Sequence, residues 1–252
     1  MSASKRPEST EGEHGVSSIS VFFPCYNEQG NVARVVQNAR EVLNDLGADY
    51  EIIIVNDGSA DDTGRIADEL AGENRRIRVV HHAQNRGYGA ALQSGFRAAT
   101  KDLVFYTDGD GQFDMTEMPP LLGLIGDYDI VSCYRLNRQD SLVRKINGWC
   151  WTQLVCLIFG LRLRDIDCAF KLYRREIFDK MPLCSTGALI DTEVLARASR
   201  NGCKIVQRAS ITIPGRQAHR PERISASSSG RSGNYCGCAG KSCRAADTIE
   251  HR

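Results

Sequence analysis

The chain has 252 residues, a formal charge of +1, 42% hydrophobic and 25% charged residues. That composition is that of a globular protein with one full core, and the balanced charge gives no global reason to expect nucleic acid, so attraction for anions must be local. Met1 to Ser17 is polar with no apolar centre, which reads as a disordered leader without a secretory signal.

From Ile19 strand-like and helix-like segments alternate. "ISVFFP" is a short apolar run closed by Pro24, and "NVARVVQNAREVLNDLG" has apolar residues at helical spacing up to a stop at Gly47. "YEIIIVNDGS" is a β-branched run ending in turn residues, followed by the helix-like "DDTGRIADELAGEN". "IRVVHHAQN" is a third strand, "RGYGAALQSGFRAAT" opens with glycines and becomes a helix, and "DLVFYTD" is a fourth strand. This alternation predicts an α/β fold, a mainly parallel sheet with helices on both faces, in one domain over residues 18–206. In such sheets ligands sit beyond the carboxyl ends of the strands. "PCYNE", "NDGSADDT" and "TDGDGQFD" all fall there.

Gly148 to Leu161, "GWCWTQLVCLIFGL", is strongly apolar between Arg144, Lys145, Arg162 and Arg164. It is too short for a bilayer span, which needs about 20 residues. A buried helix is the plainer reading, and a helix lying in a membrane surface is the other. Seven cysteines (Cys25, Cys133, Cys150, Cys156, Cys168, Cys184, Cys203) sit among apolar neighbours, as buried thiols of a reducing, cytoplasmic protein would. Cys236, Cys238 and Cys243 lack the paired spacing of a zinc site.

Asp108, Asp110 and Asp114 crowd like charge at the end of the fourth strand. An EF-hand loop fails there, because Phe113 stands where the turn glycine belongs and Pro119 where the bidentate glutamate belongs. A magnesium or manganese site shared with a diphosphate fits the oxygen-rich set Asp108, Asp110 and Gln112. A solvated turn with capping aspartates is the plainer alternative.

The motifs, taken together, resemble family 2 glycosyltransferases of the GT-A fold, in the branch of dolichol-phosphate mannosyltransferase and bacterial polyprenyl-phosphate sugar synthases. The resemblance runs from about Ile19 to Val206. "PCYNE" resembles its P-x-Y-N-E, "VNDGSADDT" its V-D-D-G-S-x-D-x-T, "NRGYGAALQSG" its N-x-G-x-G-x-A-x-x-x-G, and "DGDGQFD" its D-x-D-x-Q-x-x-P. "RDIDCAFKLYRR" and "DTEVLARASRNG" follow in the family's order.

The resemblance implies roles. Pro24, Tyr26 and Glu28 would line the nucleotide pocket with Asp57, which would accept from the base. Asp108, Asp110 and Gln112 would hold Mg2+ or Mn2+ against the donor diphosphate. Arg135, Arg138 and Arg144 are candidates for an acceptor phosphate, or are solvated surface cations. Asp165 and Glu193 would face the reacting centre, and Asp110, Asp165, Arg135 and Arg144 would carry catalysis. The expected partners are a nucleotide-sugar donor and a polyprenyl phosphate acceptor, with a saccharide hydroxyl as the alternative acceptor, at the cytoplasmic membrane face with peripheral contact.

The sequence departs from the family at Asn56, in place of the first aspartate of D-D-G-S, and at Ala169, in place of a glycine. The larger departure is the stretch after residue 206, where serine, glycine, arginine and cysteine crowd together. One GC-rich back-translation, read in a shifted frame, gives the family-like "HYPRPAGAQTGANLRVIVRAF". The tail is thus either a disordered segment or a frameshift product replacing a donor-closing loop. The second reading implies a nucleotide-binding remnant without transfer activity.

Overall fold

The computed structural model describes residues 18–136 and 142–210. The expected leader, the tail beyond residue 210 with its three cysteines, and Arg138 lie outside the described residues, as does the side chain of Arg144. Seven strands, β1 (Ile19–Cys25), β2 (Tyr50–Asn56), β3 (Ile77–His81), β4 (Leu103–Thr107), β5 (Ile130–Arg135), β6 (Phe170–Arg174) and β7 (Ile205–Ser210), form one sheet in the order β3-β2-β1-β4-β6-β5-β7. Only β6 runs against its neighbours β4 and β5; the other pairs are parallel. Helices α1 (Val32–Asp45), α2 (Thr63–Glu73), α3 (Tyr88–Ala98), α4 (Pro119–Leu122), α5 (Leu142–Phe159), α6 (Glu176–Asp179) and α7 (Ile190–Arg200) follow in chain order.

The two-residue period of a strand divides the core between the two sheet faces. Val21 and Phe23 of β1, Ile52 and Ile54 of β2, and Leu103 and Phe105 of β4 pack on one face with Val32, Val36, Ala39 and Leu43 of α1. Phe22, Ile53, Val55, Val104 and Tyr106 pack on the other with Ala91, Leu92 and Phe96 of α3 and Ile190, Val194 and Leu195 of α7. Both faces being covered explains why β2 reads as an uninterrupted apolar run rather than an alternating one.

Three expectations change. The apolar helix α5 is not buried: Trp149, Leu157 and Ile158 are 62%, 82% and 62% exposed, while Thr152 and Val155 face inward. Its apolar residues surround the helix instead of forming one stripe, so one face packs and the rest meets solvent. Cys150 and Cys184 are exposed, and Cys25, Cys133 and Cys168 are buried. Regular structure also continues past residue 206, because β7 pairs with β5 through Ser210. Among the described residues, no helix is long and apolar enough to cross a membrane.

Helix α3 can approach β1 closely because residue 95 is glycine; a Cβ there would overlap the ring of Phe22, itself stacked on Tyr106. Alanine normally favours a helix over glycine by about 1 kcal/mol, but overpacking a core costs about 1–3 kcal/mol. Gly95→Ala is therefore expected to lower the melting temperature; a rise in a thermal melt would contradict this packing.

Candidate active site

Two of the three polar loops are stitched together by reciprocal hydrogen bonds. After β1, Asn27 donates its N–H to Ser59 Oγ at 3.0 Å, and its Oδ1 accepts from Ala60 N–H at 2.9 Å. Glu28 N–H donates to Thr63 Oγ1 at 2.7 Å, and Gln29 Oε1 accepts from Asp62 N–H at 3.0 Å. Asn27 holds a left-handed backbone (φ 58°), which asparagine tolerates better than most residues. Asn56, the departure from D-D-G-S, caps the turn by accepting from Ser59 N–H at 3.1 Å. The third loop, after β4, joins them where Gly109 lies so close to Cys25 that a Cβ would reach within 2.6 Å of its Sγ.

These loops enclose a cavity of about 330 Å³ lined by Pro24, Tyr26, Glu28, Asp57, Asp108 and Asp110, with Asn85 and Tyr88 from the start of the α3 segment. Six residues expected in the donor site thus lie together. Asp57 is buried and already engaged: it accepts from the N–H groups of Arg86 (2.9 Å) and Gly87 (3.0 Å). Gln112, by contrast, is exposed; its N–H donates to Asp110 Oδ1 at 3.0 Å.

Burial and the neighbouring Asp110 push the Asp108 carboxyl up to about 7, against a hydrogen bond from Tyr88 and the positive charge of Lys171. Burial raises Asp110 as well, opposed by the Gln112 N–H and by Arg34 of α1. Glu28 is raised by burial, with Asp110 and Asp61 adding to it and a hydrogen bond from Asn31 opposing it. Three carboxyls in one cavity are thus all disfavoured as anions, the condition that a cation relieves. No group of three or more carboxylate, histidine or cysteine side chains placed so that all could hold one metal ion exists among the described residues. Two carboxylates with remaining positions for water and phosphate oxygens fit Mg2+ or Mn2+, which keep waters and share phosphates.

A second cavity, of about 230 Å³, is lined by Tyr134, Arg135, Lys145, Trp149, Thr152, Arg164 and Asp165, with Gly148. Arg135 grips Asp165 in a fork, Nε to Oδ2 at 2.8 Å and Nη2 to Oδ1 at 3.1 Å. Burial opposes the Arg135 charge, but the hydrogen bonds and charge of Asp165 outweigh it and hold the guanidinium above its usual range. Arg164 lies over the Tyr134 ring, 5.0 Å from its centroid. Gln207 of β7 binds both sides of this segment, accepting from Arg164 N–H at 2.5 Å and donating to Asp165 O at 2.9 Å.

Glu193 is not brought to either cavity. It anchors the segment before α7, accepting from the N–H groups of Cys184 (3.0 Å) and Ser185 (2.7 Å) and pairing with Arg197 at 2.9 Å. Burial works against its charge, but those N–H donors and Arg197 outweigh it and hold its carboxyl below the usual range. That segment presses on the start of α3: Thr186 O accepts from Ala90 N–H at 3.2 Å, and a Cβ at Gly89 would stand 2.6 Å from Gly187 O.

A buried polar cluster beneath the site was not read from sequence. Lys171 of β6, fully buried, donates to Asp191 of α7 at 2.5 Å and to Tyr106 Oη at 3.0 Å, and Tyr106 donates to the same Asp191 oxygen. Tyr88 donates to Asp108 at 3.1 Å, and both Asp191 and Lys171 act electrostatically on Asp108. The available signal was a lone lysine inside the apolar run "AFKLY", since lysine is almost never fully buried unless paired.

Charged and phosphate-compatible groups at the carboxyl edge of this mainly parallel sheet belong to the GT-A class of fold. Crystal structures of glucosyl-3-phosphoglycerate synthase from Mycobacterium tuberculosis share it. The complex with Mn2+, uridine diphosphate and glucosyl-3-phosphoglycerate matches with a TM-score of 0.65 at 24% identity, over 87% of this chain and 80% of that one. The complex with Mg2+ and uridine diphosphate matches with a TM-score of 0.65 at 24% identity, over 86% and 78%. Residues 20–182 match glycosyl transferase family 2, and the chain belongs to that family. It is 36% identical over 172 residues to undecaprenyl-phosphate 4-deoxy-4-formamido-L-arabinose transferases from two strains of Klebsiella pneumoniae, covering 67% of this chain and 52% of each relative. The chain therefore spans about half the length of these curated relatives.

The raised Asp108 gives a pH prediction. Below about pH 7 its carboxyl is mainly protonated in the free protein, so a cation must displace that proton to bind. Mn2+ affinity should fall by up to about tenfold per pH unit below 7 and level off above it. Calorimetric titrations with Mn2+ at pH 6 and pH 8 test this; equal affinities would contradict it. A second prediction concerns Lys171→Met, which leaves the buried Asp191 without its counter-ion and should cost about 3–5 kcal/mol in denaturant unfolding; an unchanged midpoint would contradict the pairing.

Proposed function

We propose that this domain transfers a hexose from a nucleotide sugar, of the GDP-mannose or UDP-glucose type, to a polyprenyl phosphate, inverting the anomeric centre and requiring Mg2+ or Mn2+. The observation that carries this reading is the cavity shared by Pro24, Tyr26, Glu28, Asp57, Asp108 and Asp110. The polyprenyl phosphate acceptor is supported by the names of the curated relatives, which are undecaprenyl-phosphate transferases of an arabinose derivative. Further support comes from the structural relatives, which were crystallised with uridine diphosphate and Mn2+ or Mg2+.

In this reading Asp57 accepts from the nucleobase through the remaining lone pair of Oδ2. Asp108 and Asp110 are the protein ligands of the cation, with Gln112 in reach of the same loop. Bound there, the cation supplies neutralisation of the charge that develops on the leaving diphosphate. The bond from sugar C1 to the diphosphate oxygen breaks while an oxygen of the acceptor phosphate bonds to C1 from the opposite face. An ionised phosphate is already nucleophilic, so the protein positions two anions and needs no general base.

The second cavity suits the acceptor phosphate. A guanidinium has five N–H donors, and Asp165 takes two from Arg135, which leaves three for phosphate oxygens. Asp165 then acts by orienting Arg135. Lys145 and Arg164 line the same cavity and add charge. The exposed apolar residues of α5, Val143, Ile146, Trp149, Leu157 and Ile158, lie on the helix that carries Lys145. They suit contact with a lipid surface while the site faces the cytoplasm.

The test is transfer of radiolabelled sugar from GDP-mannose and from UDP-glucose to a polyprenyl phosphate with Mn2+, beside Asp110→Ala. The expected result is a lipid-soluble, acid-labile product that EDTA and the variant each reduce at least about a hundredfold. Transfer only to a saccharide hydroxyl, or nucleotide binding without turnover, would contradict the proposal.

A further inference from the structure

The two adjacent histidines after β3 are sent to opposite sides of the sheet. β2 and β3 are in register at Asn56 and His81, and His82 N–H donates to Asn56 O at 2.9 Å. The parallel ladder therefore continues one step beyond both strands and places Asp57 beside His82. Strand alternation turns Asn56 and His81 toward α2, where Asn56 Nδ2 meets His81 Nδ1 at 3.0 Å and His81 Nε2 meets Asp68 at 2.9 Å. It turns Asp57 and His82 toward α3. There His82 Nδ1 lies 2.5 Å from Asp57 Oδ1 and Nε2 lies 2.9 Å from Ser94 Oγ. The two side chains are only 4% and 5% exposed.

A carboxylate can only accept, so the proton on Nδ1 belongs to the His82–Asp57 bond, and the Ser94 hydroxyl can donate to Nε2 of the neutral ring. Three donors thus converge on Asp57: His82 Nδ1–H, Arg86 N–H and Gly87 N–H. Oδ1 takes two of them and Oδ2 one, which leaves a lone pair on Oδ2 of a residue that lines the donor cavity. The backbone donors come from the loop that opens α3, whereas His82 and Ser94 tie the same carboxylate to the end of β3 and to the body of α3. Rotation of Asp57 away from the cavity would break all three bonds and leave buried polar groups unpaired.

We propose that His82 is a positioning residue for donor binding, with Ser94 as its support: through Nδ1–H it holds Asp57 in the orientation in which Oδ2 accepts an N–H of the donor's nucleobase. This rests on the reading of Asp57 as the base acceptor. His82 does not line the donor cavity itself and acts only through Asp57, so its contribution is confined to the nucleoside end of the ligand.

That confinement supplies the test. Binding of UDP, GDP and inorganic pyrophosphate, each with Mn2+, is measured by calorimetry on His82→Leu, His82→Asn, Ser94→Ala and Asp57→Ala. His82→Leu should weaken the better-bound nucleoside diphosphate about tenfold, the loss of one charge-assisted hydrogen bond, and leave pyrophosphate unchanged. His82→Asn, whose amide N–H can replace Nδ1–H, should return to within about threefold of the parent, and Ser94→Ala should show a smaller loss of the same kind. Undiminished nucleotide binding by His82→Leu, an equal loss of pyrophosphate, or an Asn variant no better than Leu would each overturn the proposal. Where the Leu variant does not fold, Ser94→Ala decides: nucleotide binding weakened with pyrophosphate unchanged supports it, and unchanged nucleotide binding overturns it. Undiminished nucleotide binding by Asp57→Ala would instead sink the base-acceptor reading itself, whereas a weakened Asp57→Ala beside an unchanged His82→Leu removes only the role of His82.

Discussion

Two carboxylates one glycine apart at the end of the central strand β4 impose the constraint on which the rest of the site depends. Burial raises the cost of ionising both Asp108 and Asp110, and the charge of Asp110 raises it further at Asp108. The protein offsets only part of this itself. Tyr88 donates to Asp108, Arg34 lies against Gly111 in the same loop, and Lys171 acts from beneath while paired with Asp191. What is left over is a pair of carboxyls in a cavity with little to balance their charge, the condition that a bound cation would relieve.

The sheet order explains how this charge is surrounded. β1 lies between β2 and β4, so the loops after those three strands emerge side by side, and the loop after β3 reaches them through the Asp57–His82 step. The antiparallel β6 then returns between β4 and β5. That reversal inserts Lys171 under the acidic loop, opposite Tyr106 in the strand register, and brings the Asp165 segment up to its fork with Arg135.

Much of the cavity at the ends of β1, β2 and β4 was legible because each part has a short-range signal. Apolar runs ending in turn residues marked β1, β2 and β4, and polar residues after them marked the loops. What could not be read depended on long-range contacts. β6 is five residues long and its direction is set by pairing, not by composition. The pairing of Lys171 could not be read because its partners, Tyr106 and Asp191, are 65 and 20 residues away. Glu193 looked like a site residue because it sits in a family motif, whereas its carboxylate is taken up by two backbone N–H groups and Arg197. His82 read as part of a strand end, and only the register of β2 against β3 makes it a partner of Asp57. Helix α5 was apolar in composition, and the absence of packing partners on most of its circumference could not be seen locally.

The central claim is that the acidic loop and a nucleoside diphosphate share a divalent cation. Calorimetric binding of UDP and GDP to the protein with Mn2+ and with EDTA, beside a doubly substituted Asp108→Asn, Asp110→Asn protein, tests it most directly. Binding should be at least about tenfold tighter with Mn2+ than with EDTA, with no such difference in the double variant. Equal affinity in Mn2+ and EDTA for the unsubstituted protein would contradict it.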